Sequence, residues 1–280
     1  MKKATLFAAI LMSSSAFTQK VSISEIHISS GSGTSNASIG SMDDFKVLAP
    51  NSSILAMDLS LLKPHNNMYF NPFGTNSSSS YSLQLGLQCA KMPKSTIRLG
   101  ITHMSDYGVL SANGSYTETT PYDTLTSSQT GQQIFIDSSF NRSYYMDYST
   151  QQLRLDGAMI FRMFPEKRWS LHTGFGASLG MSYRSTTNIQ YWESSSVSSA
   201  NGYSYMGEGT SESFKNKNSF AASLYVPFGI DFGLGKKRLF WMPFHLYTEI
   251  RPSLNLHSIQ KLGSSFSTGM SSALGLRIKL

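Results

Sequence analysis

His103, Met104 and Ser105 place an imidazole two residues from a hydroxyl, with Asp106 next and Glu118 further along the chain. A serine becomes a nucleophile when an imidazole takes its proton and a carboxylate orients that imidazole. His103, Ser105 and Glu118 are therefore the residues that would carry hydrolysis here. A second group, His172, Asp231, His245 and Glu249, has side chains of the kind that bind metals or relay protons. Each group also has a plainer reading: a histidine beside a hydroxyl at a water interface, and a salt-bridged filling of an interior. The single cysteine, Cys89, excludes an internal disulfide framework and any cysteine-cluster metal site. Gly-rich phosphate loops, zinc-spaced histidine pairs and nucleophile elbows are missing from the sequence. Neither a cofactor nor a metal is expected, and catalysis is not the favoured reading.

The elements that must position these residues are strands, because the dominant period is two. Trp169, Leu171, Thr173, Phe175, Ala177, Leu179, Met181 and Tyr183 alternate with Ser170, His172, Gly174, Gly176, Ser178, Gly180, Ser182 and Arg184. Tyr81, Leu83, Leu85 and Leu87 alternate in the same way with Ser82, Gln84, Gly86 and Gln88. The pattern predicts eight strands, at 54–62, 80–90, 96–110, 148–164, 169–190, 219–234, 239–256 and 266–280. Short basic turns at 91–94, 165–168 and 235–238 alternate with long Ser-, Asn-, Gly- and Tyr-rich loops. An even strand count with short turns on one side and long loops on the other predicts an all-β, antiparallel, up-and-down transmembrane barrel. Ten strands are the alternative if 132–147 and the N-terminal segment also pair. Pro227, Pro243 and Pro252 fall inside expected strands, where a missing N–H breaks the ladder.

Two orientations of such a barrel are conceivable. A lipocalin-like carrier turns its apolar face inward; a membrane barrel turns it outward. Composition favours the second. Charged residues make up only 14% of the 280 residues, with 23 basic and 16 acidic giving a net +7, against roughly 25% charged in ordinary globular domains. A mean hydropathy of −0.17 is too polar for a helical membrane bundle, and 12% aromatics are too many for a disordered chain. The polar faces carry mostly Gly, Ser, Ala and Gln, which suit a narrow lumen. Their ionisable members are Asp58, Arg98, Arg154, Asp156, Arg162, His172, Arg184, Asp231, His245, Glu249, Arg251 and Arg277. Both signs are present, as a paired lumen network requires. Trp169 and Trp241 near the basic turns, with Tyr107, Tyr183, Tyr191 and Trp192 towards the other strand ends, fit aromatic girdles.

Lys2 and Lys3, an apolar run and then small residues predict a signal peptide over 1–18. Residues 19–53 read as a periplasmic or lumen-plugging segment, with a helix N-cap at Ser41, and 54–280 as the barrel. A basic stripe interleaved with aromatics is missing, which argues against nucleic acid as a partner.

Taken together, the export signal, the amphipathic strands and the terminal strand at 266–280 resemble the small outer-membrane β-barrel proteins of Bacteroidota, whose barrel is of the OmpA type. The resemblance implies residence in the outer membrane, contact with its lipid and lipopolysaccharide, and recognition of the last strand by the barrel-insertion machinery. Leu280 departs from the usual aromatic last residue. A non-enzymatic structural or interaction role follows, free-standing or as an accessory subunit of an outer-membrane assembly. The His103-x-Ser105 pair is similar to that of outer-membrane lipid A deacylases, except that Asp106 stands where that family has Asn.

Overall fold

The computed structural model describes residues 21–64, 76–89, 94–126, 128–198, 203–207, 209–235 and 241–280. The expected signal peptide at 1–18 lies outside them. So do most of the basic turns at 91–94 and 235–238.

Eight strands close into a ring. β1 (Val21–Ser35) pairs with β4 (Asn76–Cys89), β4 with β5 (Ser95–Thr126), β5 with β6 (Gln133–Met163) and β6 with β7 (Trp169–Ser198). β10 (Phe220–Tyr225) and β11 (Phe228–Gly233) both lie between β7 and β12 (Phe244–Ile259), so they are one interrupted strand. β13 (Gly263–Lys279) then pairs with β12 on one side and β1 on the other, completing the ring. All pairings around it are antiparallel. Two short strands, β8 (Tyr203–Met206) and β9 (Thr210–Asn216), extend the β7 edge at the long-loop end.

Alternation sends the apolar row outward. Leu155, Leu171, Phe175, Leu179, Leu224, Leu254 and Leu274 are exposed on the outer surface, while Arg98, Gln84, Ser182 and Glu249 are buried. This is the inside-out arrangement of a transmembrane barrel, since water would not tolerate such a continuous apolar exterior. A carrier of the lipocalin kind would show the reverse.

The prolines fit this ring without breaking it. Pro227 falls in the gap between β10 and β11, and Pro252 lies across the ladder at the same level, its carbonyl accepting from Val226 N at 3.1 Å. Both missing donors are thus gathered into one interruption. Pro243 precedes β12.

Seven of the expected strands are present; the first is elsewhere. Residues 54–62 form turns, closed by Met57 N to Ile54 O at 3.2 Å and Leu62 N to Leu59 O at 3.0 Å. Leu55, Leu59 and Leu62 are buried there at a helix-like spacing, which their apparent alternation conceals. The eighth wall strand is β1, so the barrel begins within the segment assigned to the periplasm or a plug. Residues 133–147 prolong β6 and add no strand.

After β1, the chain turns into the barrel. β2 (Ser38–Ile39) and β3 (Lys63–Pro64) pair with β5. Between them, helix α1 (Met42–Leu48) starts at a capping box in which Ser41 and Asp44 satisfy each other's backbone N–H. It stops before Pro50, as a helix should. Phe45, Leu48, Ile54, Leu55, Leu59 and Leu62 pack against inward-facing Tyr107, Val109, Tyr144, Met146, Tyr148, Ile189 and Tyr191. The segment is a plug tied to the wall.

Candidate functional site

The lumen nearest the short turns is filled by ions. Glu249 on β12 accepts from Arg98 Nη2 at 2.7 Å and from Arg251, and lies 2.8 Å from His172 Nε2. Arg251 also reaches Asp156 at 3.6 Å, and Tyr225 donates to the same carboxylate. On the other side, Glu25 accepts from Arg162 Nη2 at 2.8 Å and Arg277 Nη1 at 2.7 Å. Asp231 receives Arg277 Nε at 2.7 Å and sits 2.6 Å from His245 Nδ1. Each carboxylate is buried, so each must be met by charged donors.

Wall strands make room for this filling with glycine. A Cβ on Gly229 would come within 2.4 Å of the His172 ring, and one on Gly176 within 2.3 Å of the Tyr225 ring. Without them, neither ring would fit beside its carboxylate.

Ten of the twelve ionisable residues expected in the lumen are brought together there; two are not. Asp58 is exposed in the plug turns, where its carboxylate accepts from Ser60 N at 3.1 Å. Its placement followed from a strand that does not exist. Arg184 points outward because of a β-bulge: Gln152 pairs with Ser182 but Gln151 with Arg184. Beyond that bulge the inward parity of β7 passes from even to odd residues, to Ser185, Thr187, Ile189 and Tyr191.

The same slip corrects the girdle. Trp169, Trp241, Tyr183 and Trp192 are on the outer surface, but Tyr191 is inward. Tyr107 is inward too, displaced by a second irregularity between Met104 and Tyr107, where Asp106 adopts φ +56°. Both tyrosines belong to the apolar packing around the plug.

The hydrolase group does not assemble. His103 Nε2 lies 2.6 Å from Tyr183 Oη, and its ring stacks on Tyr81. Glu118 stands fifteen residues along the same strand from His103, about 50 Å at the rise of an extended chain. From there Glu118 cannot orient the imidazole. Among the described residues, no cluster of three or more His, Cys, Asp and Glu is placed to hold a metal.

Sequence reasoning missed Glu25 and His27, which are buried in the network on β1. The signal was there in Val21, Ile23, Ile26 and Ile28, but a register shift between Ile23 and Glu25 breaks the alternation.

At the long-loop end, Glu212 of β9 clasps the plug, accepting from Ser53 N at 3.0 Å and from the hydroxyls of Ser52 and Ser53. Partial burial opposes its charge, yet these hydrogen bonds hold its carboxyl below the usual carboxylate range. Asn216 Nδ2 donates to Leu48 O at 2.7 Å, closing the end of α1.

No family model and no curated protein matches the chain. Among solved structures it is similar to Neisserial surface protein A (NspA), at 9% identity and TM-score 0.37, covering 93% of this chain and 99% of that one. It is also similar to Ail, the attachment invasion locus protein of Yersinia pestis, at 11% identity and TM-score 0.26, covering 92% and 100%. With both scores under 0.5, the barrel rests on its own hydrogen-bonded ring.

Proposed function

We propose that this chain is an integral outer-membrane protein whose closed barrel anchors a raised β-structure for contact with partners at the cell surface. The observation that carries this reading is the unequal height of the wall. β5, β6 and β7 are 32, 31 and 30 residues long, where roughly 9–11 suffice to cross a bilayer. The ladder between β5 and β6 continues past Tyr107 to Thr126, about 60 Å of further strand. It is rich in Ser and Thr, with Glu118, Asp123, Asp137 and Arg142 the charged residues between 108 and 142, and it exposes Tyr122 and Phe135, a surface suited to contact through aromatic anchors. The ions and plug that fill the described lumen argue against a general pore.

In this reading β13 is the segment read by the insertion machinery, and the apolar exterior meets lipid and lipopolysaccharide. An accessory role within a larger assembly would use the same raised sheet.

Protease added to intact cells tests it. Cleavage is expected within 107–147 while the remaining barrel stays in the membrane after a carbonate wash. Release of the protein by that wash, or full protection of those residues on intact cells, would refute the proposal.

A further inference from the structure

The lumen charges do not balance. Among the described residues, Arg98, Arg154, Arg162, Arg251 and Arg277 are buried with only Glu25, Asp156, Asp231 and Glu249. Five cations against four anions leave one positive charge with the histidines neutral, and the local arrangement identifies which. Arg162 and Arg277 are matched by Glu25 and Asp231; Arg98 and Arg251 share Glu249. Arg154 has only neutral acceptors. Its Nε donates to Gln152 Oε1 at 2.8 Å, its Nη1 to Ser223 Oγ at 2.8 Å, and its guanidinium lies 5.0 Å from the Tyr107 ring centre. Asp156, two residues along the strand, acts on Arg154 only through space, its direct contacts being with Arg251 and Tyr225.

A cavity of about 60 Å³ opens beside this unmatched charge, lined by Arg154, Arg251, Thr102 and Tyr107, and also by Asp156, whose carboxylate is taken up by Arg251 and Tyr225. Four buried polar atoms of those residues have no hydrogen-bond partner: Arg154 Nη2, Arg251 Nη2, Thr102 Oγ1 and Tyr107 Oη. All four carry or can offer a hydrogen. By the same measure of space a single water needs on the order of 10–15 Å³, so a small ion fits with room for hydration. Water alone would satisfy the hydrogen bonds but leave the charge uncompensated, and an unpaired buried guanidinium is costly.

We propose that this cavity is a binding site for a small monovalent anion of the halide type, held by Arg154 and Arg251 with the Thr102 and Tyr107 hydroxyls. The anion completes the charge pairing that the protein's own carboxylates leave short. Nothing in this depends on what the raised sheet contacts.

Crystals of the full-length mature protein grown in bromide, with diffraction recorded at the bromine absorption edge, test the site directly. The expected result is an anomalous peak within hydrogen-bond reach of Arg154 Nη2 and Arg251 Nη2. A cavity holding water only, with no anomalous signal, would overturn the proposal. In solution, replacing chloride by gluconate at constant ionic strength is expected to lower the thermal midpoint of the detergent-solubilised wild type. Arg154→Gln is expected to abolish that dependence, while an equal halide response in wild type and variant would also overturn it. Should Arg154→Gln fail to fold, the wild-type anomalous map still decides.

Discussion

The two halves of this lumen are filled by opposite chemistries. Towards the short turns, facing strands supply arginines, carboxylates and histidines that meet across the axis and need no further segment. Towards the long loops, the same wall turns Tyr107, Val109, Tyr144, Met146, Tyr148 and Ile189 inward. Such side chains gain nothing from water, so a separate apolar piece, α1 with residues 49–62, is folded in to cover them. In β5 and β7 the change of filling falls at a bulge, whereas β6 passes from Arg154 and Gln152 to Tyr148 and Met146 at one unbroken parity. Where β5 and β7 slip by a residue, their inward parity changes and polar lining gives way to apolar.

The largest effect should come from the ionic half. Glu249→Gln removes the one carboxylate shared by Arg98 and Arg251 and should destabilise the barrel by about 3–5 kcal/mol, read as urea-induced unfolding in detergent. A change under about 1 kcal/mol would mean that the network is loosely coupled. In the apolar half, Ile54→Ala should cost the plug about 2–5 kcal/mol of docking. Limited proteolysis should then cut within 49–62 while the wall strands stay protected. Simultaneous loss of the wall would show that the two halves form one cooperative unit.

Acid should separate the halves further. The lowered Glu212 carboxyl stabilises the clasp fully above its unfolded pKa, and that contribution is lost as pH falls through the lower folded value. Plug cleavage should therefore rise in strongly acidic buffer and not between neutrality and mild acidity. Glu212→Gln should show raised cleavage at every pH, without the acid step. The smallest effect belongs to Arg184→Gln, expected within about 0.5 kcal/mol because that side chain is exposed. A loss comparable to that of Glu249→Gln would return Arg184 to the lumen.

The wall was legible because period two is a direct consequence of a strand with unlike faces. Leu171 to Met181 shows it without interruption, and the placement of His172 and Ser178 inside follows. What escaped the sequence lies at slips. Glu25 was hidden by the shift beside Ile23, Tyr191 by the bulge at Ser182, and Tyr107 by the irregular turn of β5 at Asp106. The 54–62 segment shows the converse error, alternation by coincidence in a piece that buries Leu55, Leu59 and Leu62. Pairing of particular ions, such as Arg162 with Glu25 across 137 residues, depends on ring closure and has no local signature.

Nitroxide scanning of residues 170–191 in liposomes, on a Cys89→Ala background, tests the central assignment most directly. Collision with dissolved oxygen should peak at 171, 173, 175, 179 and 181 and fall at 170, 172, 178 and 182. Past the bulge, 185, 187, 189 and 191 should become the sheltered positions. Maxima at 172 and 178, or an unbroken even-odd rhythm through 191, would contradict the account.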